Sequence, residues 1–173
     1  MPSDGEITFA DHVGRFYARR YAMAPMVGRL IGYLAVCDPR EQSIGGLADA
    51  LLASRSAIAG AVKTLETIGL IQRSRAAGER MDRVRLDMSS SQAMGFDVTE
   101  YQEMADLARE GLAVVAGEPR ERQAILLEWA AFADFLVERL PLTGQEWKAR
   151  REALRAAGEL PDGPAAPRDE ART

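Results

Sequence analysis

The chain has 173 residues, enough for one domain or for a small domain with an appendage. Hydrophobic residues make up 47% and charged residues 28%, the balance of an ordinary folded chain, while a net charge of −4 means that any basic surface must be local. One cysteine excludes an internal disulfide, and no apolar run approaches the ~20 residues of a membrane span. The opening MPSDGEITF lacks the basic and apolar parts of an export signal, so a cytoplasmic location is expected. His12 is the sole histidine, which leaves no basis for a multi-His metal site or a Ser-His-Asp triad. Neither an enzyme nor a cofactor is expected.

Residues 6 to 20 read as a helix with Ile7, Val13, Phe16 and Tyr17 on or near one face. Residues 23 to 37 form a second, carrying Met26, Leu30, Ile31, Tyr33, Leu34 and Val36, with Cys37 as a small buried residue near its end. It must stop before Asp38-Pro39, because the residue preceding a proline is pushed out of the helical region. Residues 42 to 44 are expected to add a short strand to the sheet formed further on.

Leu47, Ala48, Leu51 and Leu52 recur at helical spacing, and Ala48 is small enough to let another helix approach. Ser54 is placed to cap that next helix by accepting from the N–H of Ser56 or Ala57. Ile58, Val62, Leu65 and Ile68 then form an inward stripe at spacings of four, three and three. Gly69 is the expected C-cap, since glycine takes the left-handed conformation without a Cβ clash. The outward face holds Arg55, Ser56, Ala59, Gly60 and Lys63, small and lightly basic.

Past Gly69 the period changes to two. Residues 83 to 87 alternate polar and apolar, residues 71 to 75 are the partner strand, and residues 76 to 80 are the turn. Arg80 falls at the tip, with Arg73, Arg75, Arg83 and Arg85 along the strands. Between residues 54 and 85 there are seven Lys or Arg against three Asp or Glu, a local charge of +4 in an otherwise acidic chain. Helix, tight turn, helix and basic hairpin make a winged helix-turn-helix, a layout that points to double-stranded DNA. The fold class expected is mainly α with a small antiparallel β wing, extended by dimerisation helices.

After Asp87 the composition shifts. A polar joint at residues 88 to 91 precedes or begins a helix with Val98, Tyr101, Ala105, Ala108, Leu112 and Val115 on its apolar face. Gly117 ends it, and residues 120 to 140 follow with Ile125, Trp129, Phe132, Leu136 and Leu140 at spacings of four, three, four and four, and Leu126, Phe135 and Val137 widen that stripe. Pro141 is expected to stop that helix, and Thr143 with Glu146 reads as the capping box of a last one through about Ala156. The expected division is residues 1–88 for the DNA-binding part with its N-terminal helices, 89–157 for a helical dimerisation region, and 158–173 for a disordered tail.

GRLIGYLAVCDP at 28–39, LADALLASRSAIAGAVKTLETIGLIQR at 47–73 and AAGERMDRVRL at 76–86 together resemble regulators of the MarR superfamily, in particular its GbsR-like branch. The resemblance covers residues 10 to 88. It implies a homodimeric repressor that places its second helix in the major groove and its wing in the minor groove of a pseudo-palindromic operator. By position it implies DNA contacts for Ser54, Arg55, Ser56, Ala59 and Lys63 in the helix and for Gly78 and Arg80 in the wing. Two positions depart from the family pattern: Leu52 stands where a turn glycine is usual, and Ala59 where Ser or Thr is common.

Several residues carry two readings. Arg73 and Arg75 are phosphate contacts or parts of a solvated strand face, and Lys63 contacts phosphate or pairs with Glu66. Tyr101, Trp129, Phe132, Phe135 and Trp147 pack a dimer core or line a pocket for a small apolar effector. A winged helix that serves as a protein–protein interaction module without DNA binding is the alternative for the whole chain.

Overall fold

The computed structural model describes residues 1–75, 82–90 and 92–161. The chain forms two compact units that meet in sequence between Gly95 and Phe96. The first begins with α1 (Asp4–Tyr21) and α2 (Pro25–Val36). A capping box starts α1: Ser3 Oγ accepts from the Glu6 N–H, and the Glu6 carboxylate accepts from the Ser3 N–H at 2.6 Å. Pro25 occupies the first turn of α2, where its missing N–H costs nothing.

The two helices pack almost backbone to backbone. A Cβ at Gly28 would stand 2.8 Å from Gly14 Cα, and one at Gly32 the same distance from Ala10 Cα. Phe16, which the periodicity expects near the core, is half exposed, while Ile7, Val13 and Tyr17 take the inner face.

The rest of the first unit follows in the order β1 (Gln42–Ser43), α3 (Ile44–Ala50), α4 (Arg55–Thr67), β2 (Ile71–Ser74) and β3 (Arg83–Leu86). The strands make one antiparallel sheet ordered β1-β3-β2, with Arg73 opposite Val84 and Gln42 opposite Val84 from the other side. Leu30, Leu47, Leu51, Ile58, Val62, Leu65 and Val84 are sealed from solvent and join α2, α3, α4 and the sheet into one core. Each such side chain contributes about 1.5–3 kcal/mol through its burial. Arg29 links the layers, donating Nε to Asp11 Oδ1 at 2.6 Å and Nη1 to the Leu51 carbonyl, which no helical N–H reaches, at 3.2 Å.

The second unit is a helical hairpin of α5 (Thr99–Val114) and α6 (Arg120–Ala156). Ala105, Ala108 and Ala133 are its buried small residues, and Arg109 Nη2 spans both oxygens of Asp134 at 2.6 and 2.8 Å. Helix α5 begins later than the polar joint suggests. Gly95 takes φ +76, and Asp97 Oδ1 accepts the Thr99 N–H at 2.8 Å, so the start is set by that pair.

Pro141 does not stop α6, which runs continuously for 37 residues. The proposed capping box at Thr143 is absent because Thr143 Oγ1 donates back to the Arg139 carbonyl at 3.2 Å. The helix continues because its buried side does: Leu136 and Leu140 before the proline, and Gly144 against Phe96 after it, keep partly buried surface on both sides. The expected tail at 158–173 lies, from residue 162 on, outside the described residues.

Candidate nucleic-acid interface

Helix α4 is fixed at both ends by its own sequence. Ser54 Oγ accepts from the Ala57 N–H at 3.1 Å and lies 3.0 Å from Ser56 Oγ, so the two hydroxyls form a pair at the helix start. At the other end Gly69 takes φ +72, and the Leu70 N–H closes on the Leu65 carbonyl at 2.9 Å. Between these caps the sealed residues Ile58, Val62 and Leu65 hold one side of the helix inward.

Ser54, Arg55, Ser56, Ala59 and Lys63 are all exposed on the other side. Gly60 among them has open space where a Cβ would stand, so this face is low and accessible to a broad, flat partner. The side chain of Arg55 lies over Gly45 of α3, whose own Cβ would come 3.7 Å from Nη2. Neither Arg55 nor Lys63 has an acidic partner among the described residues. Thr64 and Thr67 donate to the Gly60 and Lys63 carbonyls at 3.2 and 3.0 Å, which turns their hydroxyls back onto the helix.

The hairpin is electrostatically different from its sequence. Glu66 pairs with Arg73 rather than Lys63, with Arg73 Nη2 3.0 Å from Glu66 Oε2. Asp82 takes Arg75 Nε at 2.6 Å and Arg73 Nη1 at 3.5 Å, and Arg85 contacts Gln72 and Glu41. Arg73, Arg75 and Arg85 on the strands are therefore each matched by a carboxylate, whereas Arg55 and Lys63 on α4 have no acidic partner among the described residues. Arg75 holds the Asp82 carboxyl below the ordinary carboxylate range, chiefly through their hydrogen bond. Asp82 and Glu41 are participants that sequence reasoning missed, and Glu66 takes Arg73 in place of the expected Lys63; these partners lie seven or more residues away, across a turn or a sheet. Gly78 and Arg80 fall outside the described residues.

The five aromatics expected to pack a dimer or line a pocket all belong to the second unit. Trp129, Phe132 and Phe135 are 52–55% exposed in the single chain, while Tyr101 and Trp147 are half-buried. A cavity of about 410 Å³ occurs elsewhere, in the first unit, among Tyr33, Pro39, Gln42, Glu6, Asp38 and Asp49. Its walls are acidic and contain none of the five. Among the described residues no group of His, Cys, Asp or Glu is placed to hold a metal ion, and no helix is long and apolar enough to cross a membrane.

A capped helix with an open face, braced by a three-stranded sheet, defines a winged helix-turn-helix protein. A profile described as MmpR5-like MarR family transcriptional regulator matches residues 90–150. The chain is 34% identical over 121 residues to HTH-type transcriptional regulator MmpR5 of Mycobacterium tuberculosis (strain ATCC 25618 / H37Rv), covering 69% of this chain and 73% of that one. A solved structure described as a transcriptional regulator superposes with a TM-score of 0.76 at 27% identity, over 84% of this chain and 99% of its own. The chain belongs to the MarR family of transcriptional regulators and is not an enzyme.

Proposed function

We propose that this regulator acts in the cytoplasm as a homodimeric repressor on a pseudo-palindromic duplex operator. The observation that carries the DNA reading is the exposed α4 face, where Arg55 and Lys63 stand without acidic partners beside the paired Ser54 and Ser56 hydroxyls. Cations in that position supply phosphate contacts, the hydroxyls donate to base edges or phosphates, and Ala59 offers apolar contact to a thymine methyl. Gly78 and Arg80 complete the interface in the wing, by family resemblance, and Arg75 adds a strand contact.

The homodimer is supported by exposed apolar side chains on both helices of the second unit: Leu107 and Val114 on α5, and Ile125, Trp129, Phe132 and Phe135 on α6. Surface of that size and kind marks a contact in a soluble chain. A two-fold pair would set its recognition helices about 34 Å apart, one turn of the duplex. We assign Trp129, Phe132 and Phe135 to subunit contact first. An apolar effector at Tyr101, Trp129, Phe132, Phe135 and Trp147 is the secondary reading, and the GbsR-like placement rests on residues 10 to 88 alone.

The test is duplex binding across a salt series, with oligomeric state followed by light scattering. A dimer whose log affinity falls steeply with log salt is the expected result, with Arg80→Ala weakening it and leaving stability unchanged. Absence of binding at low salt would favour the protein-interaction alternative.

A further inference from the structure

The arginines of β2 are held in two different ways. Arg73 is used on three sides: Nε and Nη2 donate to the Glu66 carboxylate, and Nη1 faces Asp82 Oδ2 at 3.5 Å. Arg75 is held on one side, by Nε to Asp82 Oδ1 at 2.6 Å, and its two Nη groups have no partner among the described residues. The Arg75 side chain is 62% exposed and the Arg73 side chain 42%. Glu66 belongs to the last turn of α4, so its pair with Arg73 spans from the recognition helix to the wing.

We propose that Glu66 and Asp82 are positioning residues for DNA binding: Glu66 uses Arg73 as a strut that sets the wing against α4, and Asp82 aims the free edge of Arg75 at a phosphate. This rests on the reading of the α4 face as a DNA interface. Arg73 is thereby reassigned from contact to brace. A guanidinium anchored through Nε keeps its Nη edge preorganised, and less side-chain entropy is lost when a phosphate binds it.

Simple charge predicts the opposite. A carboxylate beside a DNA-facing surface repels phosphate, so neutralising it should tighten binding to every duplex. Positioning reverses that sign only where the wing must dock in one register. The probes are a duplex selected by the wild-type protein from a randomised pool and a duplex of random sequence, each titrated across a salt series. Asp82→Asn and Glu66→Gln keep the shape of each side chain, and thermal melts establish that both variants are folded.

Each variant is expected to bind the selected duplex about fivefold more weakly while binding random duplex as tightly as wild type or more tightly. Arg75→Gln should lower the salt slope by about one. Glu66→Arg and Arg73→Glu should each weaken selected-duplex binding, and the double exchange should restore it. Tightening on both duplexes alike, or failure of the exchange to restore affinity, overturns the positioning roles and leaves the DNA reading standing. A wild-type protein that binds neither duplex overturns both.

Discussion

Leu52 occupies the turn between α3 and α4 at φ +52 and is 93% exposed, so it bears a left-handed backbone and has almost no packing in return. The left-handed conformation costs an L-residue about 1–2 kcal/mol, and glycine's greater chain entropy gives back about 0.5–1. Leu52→Gly should therefore stabilise the protein by about 0.5–1 kcal/mol, raising the melting temperature by a few degrees. Cys37 is buried, with Sγ 3.5 Å from the Pro39 carbonyl, and desolvation pushes its thiol pKa up. A raised folded-state pKa means stability that is complete below the free thiol value of about 8.5 and lost as pH rises through the folded value. The urea midpoint should decline on that alkaline side less in Cys37→Ala than in wild type, and the native thiol should react with a thiol reagent far more slowly than the unfolded one. At this scale the sequence was readable wherever chemistry is local. The Ser54 cap and the Gly69 terminus follow from one side chain and its nearest backbone, whereas the Glu66–Arg73 pair depends on how the chain folds back past Gly69.

Helix α6 shows where a local rule is outweighed. Proline at 141 removes one hydrogen bond and crowds the Val137 carbonyl, a cost of about 3 kcal/mol in a helix interior. The partly buried side on both sides of it keeps the helix continuous, and no inspection of residues 137 to 145 alone reveals that support. Pro141→Ala should accordingly stabilise the protein by about 1–3 kcal/mol in denaturant melts; an unchanged or lowered midpoint would mean that the proline has a structural use of its own. The segment from α3 to β3 was far more legible. Its stripe of Ile58, Val62 and Leu65 follows one face of a helix, and the alternation of β3 has one solution, since a strand shift of one residue would turn its buried set to solvent.

At the scale of the whole molecule, the exposed α6 aromatics give the homodimer a direct test. Phe132→Glu changes a side chain that is 53% exposed, so the fold should survive while light scattering shows a shift from dimer to monomer. Retention of the dimer would place the subunit contact elsewhere. The exposed face of α4 was legible in the sequence and the charge balance of the hairpin less so, because a count of charges does not say which of them neutralise one another. The near contact of α1 and α2 at Gly14, Gly28, Gly32 and Ala10 has a mechanical meaning as well. Where two main chains approach this closely, only the Val13, Tyr17 and Arg29 side chains flank the contact and little can rearrange between them, so the pair is expected to resist sliding and tilting. Leu30 on α2 shares the sealed core with Ile58 on α4, so a displacement of the α1–α2 pair is expected to reach the inner side of the helix whose outer face we propose to meet DNA.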